Sequence, residues 1–180
     1  MPLAKKTIRN ALIQLLNDKG FTFTFEGNDD FYMIQKNRES RHISFQLLLS
    51  GKSAIKTHGS HNGNKTNGIG VFMFDFFTGK PLPDYFIFGF ENRVKGIAEF
   101  VVVSYSDLLD RLTKRSLLNE NKVEMWLWLM PDNYVYETTN INFQSEWYFL
   151  SKRNSGSCMA DNTEMDYSLG LNNWLEFEGI

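Results

Sequence analysis

Cysteine is almost missing from this chain. A single Cys158, set in the polar run RNSGSCMADNTE, leaves no intramolecular disulfide and no multi-cysteine zinc site. A reducing compartment fits that usage. Long apolar runs are missing as well. No stretch approaches the ~20 consecutive apolar residues that span a bilayer, and the opening MPLAKKTIRNALIQLL carries charges where a signal peptide needs an apolar centre. The expectation is a cytoplasmic protein with no membrane partner. Net charge is small too, at −2, which argues against a uniformly basic nucleic-acid binder. Internal repeats, low-complexity tracts and coiled-coil heptads are absent.

Aromatic rings are plentiful. Sixteen Phe, seven Tyr and four Trp in 180 residues favour strands and sheet packing over a helical bundle. A chain of this length buries about two-thirds of its unfolded surface as one domain, so a single domain over residues 1–180 is expected, with a core over 1–115 and an extension over 116–180. The fold class is α/β (α+β), a central mixed β-sheet flanked by helices.

The order of elements follows from periodicity. Ile8, Ala11, Leu12, Leu15 and Leu16 make one apolar stripe between Lys5 and Lys19, and Gly20 supplies the stop, so the chain opens with a helix. Phe21 to Phe25 alternates Phe with Thr and predicts a strand. A β-hairpin follows, with arms Phe31–Gln35 and His42–Leu49 around the turn Asn37-Arg38-Glu39-Ser40; Ile43, Phe45, Leu47 and Leu49 share one face, and His42, Ser44 and Gln46 the other. Residues 50–70 read as a long loop, of the kind that is functional or disordered. Next come GVFMFDFF, then Asp84–Phe90 and Ala98–Val103, apolar on both faces and expected as interior strands. Ser104 or Ser106 caps a helix with Leu108, Leu109 and Leu112 inward. Val123–Met130 and Tyr134–Thr138 form a second hairpin, Glu146–Leu150 a last strand, and Tyr167–Phe177 a short helix that seats Leu171 and Trp174.

Charge is unevenly placed. Between Gln35 and Thr66, Lys36, Arg38, Arg41, Lys52, Lys56 and Lys65 face Glu39 alone, with His42, His58 and His61 besides; from Glu120 to Ile180 the balance is acidic. A basic block beside the hairpin is an electrostatic footprint for phosphates, and equally the composition of a solvated loop. Gly51-Lys52-Ser53 is no P-loop, because the residue five before Gly51 is Gln46 rather than glycine. His58 and His61 lack a third ligand and a helix to fix them as a zinc pair. Cys158 has no evident base nearby and reads as inert.

The order helix, strand, Asp-headed strand, hairpin partner with a polar face, then DYFIFGF and AEFVVVSYSDLLDRL over about Lys5 to Arg115, resembles the restriction-endonuclease-like fold of the PD-(D/E)xK nucleases. Members of that superfamily carry an Asp at the head of the second strand and (Glu/Gln)-x-Lys on the third, and hydrolyse phosphodiesters with magnesium. The resemblance implies Asp30 as first metal ligand with Asp29 as its alternative, Glu26 as a supplement, Gln46 as the third-strand ligand, and Mg2+ as cofactor. The residue two after Gln46 is Leu48, so the nearest ammonium for a catalytic role is Lys52. The DNA-binding residues are then Lys56, His58, His61 and Lys65. The implied function is a metal-dependent DNA endonuclease; the alternative is a catalytically inactive member of the same fold acting as a DNA- or protein-binding module. DNA is the expected partner, with a homodimer also open.

Overall fold

The computed structural model describes residues 3–26, 31–36, 43–50, 67–76, 82–114, 122–130, 133–138 and 166–178. Its elements, in chain order, are α1 (Lys5–Asp18), β1 (Phe21–Glu26), β2 (Phe31–Lys36), β3 (Ile43–Leu49), β4 (Gly68–Asp75), β5 (Tyr85–Asn92), β6 (Ile97–Ser104), α2 (Tyr105–Lys114), β7 (Lys122–Leu129) and β8 (Val135–Thr138). A 3₁₀ turn, Ser168–Gly170, and a last helical turn, α3 (Leu175–Glu178), close the described chain. The protein is α+β.

The strands form two sheets. Five build a mixed sheet in the order β1-β2-β3-β5-β6, in which β3 and β5 run parallel and every other neighbour is antiparallel. Three build an antiparallel sheet in the order β4-β7-β8. The crossover from β3 to β5 therefore passes through a strand of the other sheet. Strand β4, read from sequence with the N-terminal core, pairs along its whole length with β7 of the extension, from Gly68 opposite Leu129 to Asp75 opposite Lys122.

Each face of the five-stranded sheet has its own cover. On one side Ile8, Leu12 and Leu16 of α1 lie against Phe45, Leu47, Ile87 and Val102, and Trp174 and Phe177 of the C-terminal segment complete that layer. Gly89 lets the helix approach, since a Cβ there would stand 2.9 Å from Ile8 Cγ2 and 3.0 Å from Leu49 Cδ2. On the other side the three-stranded sheet and α2 pack Phe72, Phe74, Met125, Leu127, Leu108 and Leu112 against Phe86, Phe88 and Phe90. Phe72 meets Phe88 edge-on with centroids 5.0 Å apart, a geometry that adds about 1 kcal/mol beyond burial. Where the sheets cross, Gly68 lies so close to Glu91 that a Cβ would be 2.2 Å from its carbonyl oxygen.

The predicted hairpin forms as β2 and β3, and Ile43, Phe45, Leu47 and Leu49 are all buried on one face. Ser104 is the helix cap, its Oγ accepting the Asp107 N–H at 3.2 Å. Two expectations need correction. Strand β6 is not interior but ends the sheet order; it is apolar on both faces because both faces are covered, with Val101 in one layer and Phe100 in the other. The sheet is flanked not by two helices alone but by α1 on one side and a second sheet, with α2, on the other. The Glu146–Leu150 strand lies outside the described residues.

Candidate functional site

Of the residues singled out from sequence, Gln46 is described fully and Glu26 by its place in β1; Asp29, Asp30, Lys52, Lys56, His58, His61 and Lys65 lie outside the described residues. The register fixes what surrounds Gln46. In β2 it pairs with Phe31, which in turn pairs with Glu26 of β1, and on its other side it pairs with Phe86 of β5. Glu26, Phe31, Gln46 and Phe86 thus form one cross-strand row, with Glu26 and Gln46 two strand spacings, about 10 Å, apart. Asp30 is the chain neighbour of Phe31. The head of β2 and the middle of β3 are therefore brought together, as the resemblance requires.

Alternation along β3 puts Ser44, Gln46 and Leu48 on the face opposite Phe45 and Leu47. Ser44 and Gln46 are half-buried, and the Gln46 amide makes no hydrogen bond among the described residues. Leu48 is different. It packs against the core between the two sheets, beside its register partner Phe88. Ser50 beyond it is buried and accepts the Val71 N–H at 3.1 Å, tying the end of β3 to β4. The position at which the nuclease pattern carries its lysine is thus in a hydrophobic layer, where an ammonium would have to give up its water.

Asp84 joins this face, and sequence reasoning missed it. Its Oδ2 accepts the Ser44 N–H at 2.7 Å and the Ser44 hydroxyl at 2.9 Å, while its own N–H donates to Ser44. The pairing locks the head of β5 to β3 just where the parallel ladder starts. An exposed Asp ahead of an apolar run reads as a turn residue, and only the crossover topology reveals its partner.

Other buried carboxylates are absorbed by the fold. Glu99 accepts from Asn92 Nδ2 at 3.1 Å, from Lys95 Nζ at 3.4 Å and from Asn172 Nδ2, pinning the C-terminal segment to β6. Glu137 accepts the Tyr167 hydroxyl at 2.9 Å, and Arg111 lies over the Tyr167 ring with its Cζ 4.7 Å from the centroid. Among the described residues no three His, Cys, Asp or Glu side chains gather as a metal site. The described part of the Gln46 face offers one neutral amide and one carboxylate already engaged by Ser44, which by themselves do not make a magnesium site.

No family model, curated protein or solved structure matches this chain. Among the described residues no helix is long and apolar enough to cross a membrane.

Proposed function

We propose that the chain is a catalytically silent relative of the restriction-endonuclease-like nucleases that works as a DNA-binding module. One observation carries the reading: Leu48, in the place of the motif lysine, is packed against the core between the sheets. A water-orienting ammonium there would have to be buried without a partner, which costs several kcal/mol. The basic block from Lys36 to Lys65 brackets β3 in sequence and supplies the charges that meet phosphates. Its test is DNA binding across a salt series. Replacing Lys52, Lys56 and Lys65 together by alanine weakens binding and flattens the salt dependence by about one unit of slope for each phosphate that is no longer neutralised. Wild-type protein without DNA affinity at low salt ends the nucleic-acid reading.

The register of Phe31 with Gln46 favours a second reading, an active endonuclease. There Asp30 and Gln46, with Asp29 or Glu26, would hold Mg2+, which polarises the scissile phosphodiester. Lys52 would then reach the site from beyond β3.

A further inference from the structure

The two sheets have four edge strands, and three of them are occupied. Strand β6 is capped by Leu171 and Asn172, through the bridge to Val101 and the Asn172 N–H on the Phe100 carbonyl at 2.7 Å. Strand β8 is capped by Asp166 to Ser168, with the Tyr167 N–H on the Val135 carbonyl at 2.8 Å and Ser168 Oγ on the Val135 N–H at 2.9 Å. Strand β4 has the Ser50 hydroxyl on its Val71 N–H. Strand β1 is the contrast: among the described residues it pairs with β2 alone.

Nothing in β1 protects such an edge. Soluble proteins blunt exposed edges with lysine, proline or a bulge. Phe21–Glu26 has no lysine or proline, and its six register pairs with β2 run without interruption, so it has no bulge. Its sequence is also self-complementary. Phe21-Thr22-Phe23-Thr24-Phe25 reads the same in both directions. An antiparallel copy centred on Phe23 sets Phe21 opposite Phe25, Thr22 opposite Thr24, and Phe23 opposite itself. Faces match as well as positions: the Phe side belongs to the α1 layer, where Phe21 is buried and Phe23 packs against the same cluster, while Thr22 and Thr24 are exposed on the other side. Charge agrees too. The same register sets Glu26 opposite the copy's Gly20, one residue from its Lys19.

We propose that β1 is the contact edge of a symmetric homodimer, in which a second copy of the chain adds its own β1 antiparallel and continues the five-stranded sheet across a two-fold axis at Phe23. The interface is isologous, so each Thr22–Thr24 pair and each Glu26–Lys19 approach occurs twice. Backbone hydrogen bonds supply the attraction, and the alternation of rings and hydroxyls sets the register.

Sedimentation equilibrium of the full chain, from micromolar to millimolar concentration, tests it. Wild type shows a concentration-dependent doubling of mass. The double substitution Thr22→Lys with Thr24→Lys places two like-charge pairs across the interface and weakens the dimer about tenfold. The corresponding double glutamate variant, Thr22→Glu with Thr24→Glu, is weakened likewise, and mixing the two variants restores a dimer. Both threonines are exposed, so each variant keeps the wild-type far-UV circular dichroism. A nitroxide on Thr24→Cys, in a chain carrying Cys158→Ser, gives a readout free of charged variants: labels on the diagonal of the dimer lie about 7–8 Å apart and broaden each other's spectrum until unlabelled chain is added. Wild type that stays monomeric throughout, a dimer indifferent to the lysine pair, or spectra without dipolar broadening each overturn the proposal.

Discussion

The two faces of the five-stranded sheet are covered by different things and to different extents. On the α1 face the alternate residues of β3, from Ile43 to Leu49, are buried along the entire strand. On the opposite face the cover is a second sheet, and burial grades along the strand from half-buried Ser44 and Gln46 to Leu48 on the inter-sheet core and buried Ser50. Two motif positions only two residues apart on one strand thus sit in different media. The ligand position, Gln46, meets water, and the lysine position, Leu48, meets phenylalanine.

The largest effect expected from this comparison is at Phe88, fully buried where the sheets meet and in edge contact with Phe72 and Phe74. Phe88→Ala should cost about 3–5 kcal/mol of stability in urea unfolding. Leu48→Lys, which writes the nuclease motif back into β3, comes next. It should destabilise by about 2 kcal/mol rather than confer cleavage, because the ammonium enters an apolar layer. A neutral Leu48→Lys would mean that this half of the face is not sealed. Ser104→Ala removes the α2 cap and should cost about 1 kcal/mol by thermal unfolding, a local effect that leaves the contrast between the faces untouched. The smallest effect belongs to Gln46→Ala. With no hydrogen bond to forfeit among the described residues, it should stay within about 0.5 kcal/mol of wild type, and a larger change would show that the Gln46 end is as tightly covered as the Leu48 end.

Much of the fold is legible in sequence because it is written in local periods. The 3.6-residue stripe of α1, the alternation in β1 and β3, and the serine ahead of α2 each report a neighbour a few residues away. Strand pairing at long range is not legible. Nothing in GVFMFDFF says that β4 leaves the first sheet to pair with β7, and nothing in the doubly apolar β6 distinguishes an interior strand from an edge strand covered on both faces. For the site, the alternation of β3 gives the face of Gln46 correctly. The pairing of Asp84 with Ser44 depends on the parallel crossover and has no local signal. That Leu48 departs from the motif is visible in sequence, but its burial depends on where the second sheet lies.

The central claim, that this face binds without hydrolysing, is tested most directly by incubating the pure full-length protein with mixed linear and supercoiled DNA in magnesium or manganese and measuring retention and cleavage in the same samples. The account predicts DNA retention with no metal-dependent products. Cleavage that requires the metal and disappears in Asp30→Ala would contradict it and establish the active endonuclease instead.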